Sequence, residues 1–73
     1  MVVTVKVVPN QGSSTLQQVD VNASGASLGE VLTSAGLSPD RKDLAVNDVP
    51  ASKLDTHVPA GATVLVTERP RGS

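Results

Sequence analysis

The chain closes on "TERPRGS", Thr67 to Ser73, and the chemistry on offer there is that of a free terminal carboxylate with a glycine before it and two arginines nearby. Such a carboxylate can act as a reactive handle, and Arg69 and Arg71 each present a planar fork suited to a partner's carboxylates. Elsewhere the reactive side chains are sparse. His57 is the single histidine and lies between Thr56 and Val58. It has no cysteine or second histidine with which to share a metal, and Asp55 and Ser52 nearby are thin grounds for a nucleophile, base and orienting acid, so it reads as a surface histidine. The carboxylate pairs Asp40 with Asp43 and Asp48 with Asp55 have no apolar surroundings in sequence that would make one an acid and the other a base. Gly25 and Gly29 lack the rest of a phosphate loop and the lysine behind it. No enzyme signature remains, and the sequence calls for no cofactor and no metal.

The elements that must carry the tail are those of one small domain. In 73 residues there are no Phe, Tyr, Trp or Cys and the formal charge is −1, so the core must be aliphatic and no disulfide can staple it. Near-neutral charge and the lack of stacking aromatics argue against nucleic acid and anionic membrane surface as partners. No apolar run approaches a membrane span, and "MVVTVKVVPN" alternates with Thr4 and Lys6 instead of forming a signal peptide. The expected location is the cytoplasm.

"VVTVKVV" puts Val3, Val5 and Val7 on one face and Thr4 and Lys6 on the other, the period of a half-buried strand. "PNQGSS" turns the chain and "TLQQVDV" resumes alternation through Gln17, Val19 and Val21, which predicts a hairpin. Leu16 is out of phase and predicts a bulge or a partly buried register. At "SLGEVLTSAGL" the period changes: Ser27 and Glu30 form a capping box, Leu28, Val31, Leu32 and Ala35 make one apolar stripe, and Gly36 closes a short helix. After the polar loop "SPDRKD", "LAVN" predicts a short strand ending in a tight turn at Asn47 and Asp48. Val49 to Gly61 shows no period and reads as an irregular link, with Leu54 and Val58 tucked beneath it. "ATVLVTE" is apolar on both faces and predicts a central last strand, beside and parallel to the first.

The stretch from Ala26 to Glu68, with Ser27, Leu28, Val31 and Leu32 in the helix, Ala45, Val46 and Asn47 entering a turn, and "PAGATVLV" before the last strand, resembles the sulfur-carrier branch of the β-grasp (ubiquitin-like) fold, the family of the molybdopterin synthase small subunit and the thiamine sulfur carrier. The resemblance implies an α+β fold, a mixed four-stranded sheet with one short helix packed on one face. It also implies a single domain over residues 1–68 followed by a flexible tail over 69–73. In that family the chain ends in Gly-Gly, an adenylating enzyme activates the terminal carboxylate, and sulfur is passed to an accepting enzyme. Gly72 matches the penultimate position, whereas Ser73 stands where the last glycine belongs and Arg71 precedes them. Three readings stay open: trimming to Gly72, a fold used only as a binding surface, and a "PRGS" end of the kind found in protease-site linkers.

The sequence therefore leads to a monomeric or weakly associating protein without catalysis of its own, which binds a protein partner. The expected recognition surface is the outer face of the sheet, with Thr4, Lys6, Gln17 and Asp20 on or near it and Arg69 at its end. An exposed edge strand could also extend a partner's sheet. For the carrier alternative the residues are Arg71, Gly72 and Ser73, and the partner an adenylating or sulfur-accepting enzyme.

Overall fold

In the computed structural model the described residues are 1–69. The chain runs β1 (Val2–Val8), β2 (Thr15–Asp20), β3 (Ala26–Ser27), α1 (Leu28–Ser34), β4 (Lys42–Val46), β5 (Val49–Ala51), β6 (His57–Val58) and β7 (Thr63–Glu68). Five of these strands make one mixed sheet in the order β2-β1-β7-β4-β5, and β3 pairs with β6 in a small two-stranded sheet. β7 lies between β1, to which it is parallel, and β4, to which it is antiparallel. The expected central last strand is therefore present.

Aliphatic alternation builds the core. Val3, Val5, Val64 and Val66 are fully buried on the helix side of the sheet, where they meet Leu28, Val31 and Leu32 of α1. Seven residues are too few for a helix to hold itself together in water, so local caps and this packing must support α1. At its start Ser27 Oγ accepts from Glu30 N–H at 3.2 Å and donates to the Glu30 carboxylate at 3.2 Å, which realises the predicted capping box with the carboxylate on the hydroxyl. Two further orphan donors of the first turn are satisfied from the 52–58 segment: Leu28 N–H donates to Thr56 O at 2.8 Å and Gly29 N–H to Leu54 O at 2.9 Å. At its end Gly36 takes φ +73°, with Gly36 N–H on Thr33 O and Leu37 N–H on Leu32 O, the paired bonds of a Schellman close.

Three expectations need correction. The main sheet has five strands instead of four, because Asn47 and Asp48, at φ +49° and +67°, form a two-residue hairpin turn that folds Val49–Ala51 back along β4. A run of three residues containing Pro50 cannot display a period, and proline is tolerated in an edge strand whose nitrogen faces away from the sheet. The segment from Val49 to Gly61 is accordingly not an irregular link throughout, since β6 within it pairs with β3, residue for residue, about thirty positions earlier. Val58 is buried as expected, but Leu54 is 43% exposed. It lies over Gly29 at the groove beside α1 instead of tucking into the core. Of the two readings of Leu16 the partly buried register holds: β1 and β2 pair one to one from Val2↔Asp20 to Val7↔Thr15 without a bulge, only Val19 of β2 is buried, and Leu16 points outward, 71% exposed.

Candidate functional site: the outer face of the sheet

Among the described residues the helix covers one face of the sheet and nothing covers the other. Residues paired across neighbouring strands share a face, and the registers align Leu16, Lys6, Leu65, Ala45 and Pro50 in one row across all five strands. Leu16 and Lys6 are exposed, Leu65 and Ala45 half-buried and Pro50 exposed. One cation thus sits within a stripe of aliphatic surface. On one side of this row lie Gln18, Thr4 and Thr63, and on the other Val8, Thr67 and Asp43.

The structure brings Thr4, Lys6 and Asp20 together on this face, Thr4 opposite Gln18, Lys6 opposite Leu16 and Asp20 opposite Val2. Gln17 is not with them. Its partner is Val5, a fully buried residue, so Gln17 faces the helix side together with Val19, and Gln18 takes the place expected for it. The reason is parity: positions 17 and 19 share a face, and Val19 is buried at 5% exposure. Arg69 lies at the opposite end of the sheet from Asp20. Its N–H donates to Arg41 O at 3.0 Å, and its guanidinium holds Asp43, with Nε to Oδ1 at 3.0 Å and Nη2 to Oδ1 at 2.9 Å. The ordered contacts of β7 thus run one residue beyond Glu68. Arg71, Gly72 and Ser73 lie outside the described residues.

Leu65, Ala45 and Pro50 were missed because each looked like core or link in a linear reading. Leu16 carried a usable signal: a large aliphatic out of phase with its strand is a surface residue once no bulge absorbs it.

The remaining reactive side chains are dispersed. His57 is exposed in β6 and, with Ser52, borders a hollow of about 400 Å³, whereas Asp55 lines the groove along α1. A groove of about 740 Å³ beside β4 and β5 is lined by Arg41, Asp43, Pro50, Thr67 and Arg69 among others. Among the described residues no group of His, Asp and Glu is gathered as a metal would need, and no helix is long and apolar enough to cross a membrane.

Comparison with solved structures gives a match over 100% of both chains to the ubiquitin of Caldiarchaeum subterraneum, with a TM-score of 0.58 and 22% identity. The fold is ubiquitin-like. An α+β β-grasp was expected, and a single short helix on a mixed sheet with a central parallel last strand agrees with it. At this identity the likeness concerns the fold, and β-grasp domains serve many functions. No protein-family model matches the chain, and no curated protein matches it in sequence.

Proposed function

We propose that this ubiquitin-like domain acts by binding a protein partner through the outer face of its sheet, without chemistry of its own. The observation that carries the reading is the row Leu16, Lys6, Leu65, Ala45 and Pro50, an aliphatic stripe interrupted by one cation, which no described residue covers on the face away from the helix. Leu16 is 71% exposed there, and leaving a large aliphatic in water gains the monomer nothing, whereas covering it on association removes apolar area from solvent. Lys6 favours a partner that sets a carboxylate beside an apolar contact. Thr4, Asp20 and Gln18 form the polar margin on one side, and Arg69 with Asp43 the margin at the other end.

A second reading has its own support. β7 is the central strand, and Arg69 is pinned to Arg41 and Asp43 at its exit, so the segment with Arg71, Gly72 and Ser73 begins from a fixed point. A carrier or modifier would have its terminal carboxylate activated there by an adenylating enzyme after trimming to Gly72.

The two readings part in one experiment in the natural host. Leu16→Asp and Lys6→Glu, made separately, are expected to abolish the biological activity while the fold persists, and truncation after Arg69 is expected to preserve it. Intact mass spectrometry supplies the opposite outcome: a chain ending at Gly72 with a gained sulfur, or an isopeptide link to another protein, overturns the binding-only reading.

A further inference from the structure

The sheet has two edges, and they differ chemically. Just past β4, Asn47 N–H donates to Thr63 O at the start of β7 at 2.9 Å, so Ala45, two residues earlier, also turns its backbone groups toward β7. Its partner on β5, Pro50, therefore turns its nitrogen outward, where proline has no hydrogen to give. That edge is three residues long and lacks its outward donor, two of the devices by which natural sheets stop growing. At the other edge Val21 N–H donates to Met1 O at 2.8 Å, and Thr4 N–H and Val2 O both bond toward the β7 side. By alternation Thr15, Gln17 and Val19 direct their backbone groups to β1, while Leu16, Gln18 and Asp20 direct theirs away from the sheet. Five of the six residues of β2 are exposed, and the strand carries no proline, no lysine and no bulge.

We infer that β2 is a strand-addition edge and that its occupant is β2 of a second copy, paired antiparallel about a two-fold axis through Gln18. This inference is independent of the outer-face reading above. Antiparallel self-pairing has several registers, and only the one centred on Gln18 uses all three outward residues of both strands, with Leu16 opposite the second copy's Asp20, Gln18 opposite Gln18, and Asp20 opposite Leu16. Each facing pair exchanges two backbone hydrogen bonds. No like charges face each other, and the facing Gln18 amides can donate to and accept from one another. The outer row also continues across the axis: Lys6 neighbours Leu16, which neighbours the second copy's Asp20. Lys6 is therefore two strand spacings, roughly 10 Å between backbones, from that carboxylate, within the reach of an extended lysine. The two-fold axis makes two such charge pairs, the self-complementarity that an isologous contact requires. The edge contact is small, which sets the association in the weak class, on the order of 10⁻⁴ M.

Sedimentation of the full chain from about 10 μM to about 1 mM, a span chosen to bracket weak small-area contacts, is expected to show the mass rising toward twice 7.4 kDa. Gln18→Pro deletes only an outward donor, as Pro50 does on the other edge, and is expected to keep the chain monomeric over the whole range. Because the chain has no cysteine, Gln18→Cys gives a register test that is independent of any fold defect in the proline variant. It is expected to form disulfide-linked dimers in mild oxidant many-fold faster than Leu16→Cys, whose facing residue is Asp20. A chain that remains monomeric at 1 mM, a dimer indifferent to Gln18→Pro, or cysteine variants that cross-link at equal rates would each overturn the proposal. So would strand addition by an unrelated extended peptide with no dimer at any concentration.

Discussion

Arg69 sets both Nε, at 3.0 Å, and Nη2, at 2.9 Å, on the same Oδ1 of Asp43, and its own N–H is held by Arg41 O, so the last described residue is tied by its side chain to β4 and by its backbone to the residue just before that strand. The two side chains are 57% and 65% exposed. An ion pair so open to water is worth less than about 1 kcal/mol and is screened by salt. Arg69→Ala and Asp43→Ala are each expected to lower the melting temperature by no more than a few degrees, and a double-mutant cycle in low and high salt checks it. A coupling that survives high salt unchanged would contradict the assignment.

Gly25 and Gly36 both have positive φ, +88° and +73°, yet their surroundings differ. A Cβ on Gly36 meets nothing within 4 Å, whereas one on Gly25 would overlap the Val58 carbonyl oxygen and crowd His57 Cε1 at 2.9 Å. Gly36→Ala is expected to cost about 1 kcal/mol from its backbone angle alone. Gly25→Ala is expected to cost more than about 2 kcal/mol because β6 must move as well. Chemical denaturation of the two variants side by side reads the difference, and equal costs would mean that β6 does not hold its distance from the Asn22 to Gly25 turn.

The caps and the core of α1 separate in the same way. Ser27→Ala removes the acceptor of Glu30 N–H and the donor to its carboxylate, an expected loss of about 1 kcal/mol. Leu32→Ala opens a cavity under a side chain only 1% exposed, and the expected loss is about 2–5 kcal/mol. In a domain of this size that is a large part of the total stability. Thermal unfolding followed by far-ultraviolet circular dichroism should therefore find the Ser27 variant folded at room temperature and the Leu32 variant partly or wholly unfolded.

Leu16 supplies the contrast. At 71% exposure it contributes little to folding, and Leu16→Ala is expected to shift stability by less than about 0.5 kcal/mol. A loss comparable to that of Leu32→Ala would show that Leu16 is packed in solution, against the register in which it faces outward opposite Lys6.

What the residues determined by themselves was local. Alternation in "VVTVKVV" and "ATVLVTE", the capping box at Ser27 and Glu30, the left-handed close at Gly36 and the turn at Asn47 and Asp48 each depend on neighbours a few positions apart, where backbone sterics and side-chain reach act without knowledge of the whole chain. The aliphatic richness of both faces of β7 even carried one distant fact, that this strand is central.

Tertiary structure decided the rest, because those features rest on partners far away in sequence. Ala26–Ser27 becomes a strand only because His57–Val58 comes beside it, and Val49–Ala51 only because β4 offers an edge. Gln17 turns to the helix side because Val5 faces it there, and Leu16 becomes surface because its partner is Lys6. Arg69 leaves the expected tail because Arg41 and Asp43 lie within hydrogen-bonding distance. The row from Leu16 to Pro50 exists in no segment of the chain. It is made by register, since strands from five separate stretches must align before their outward residues form one surface.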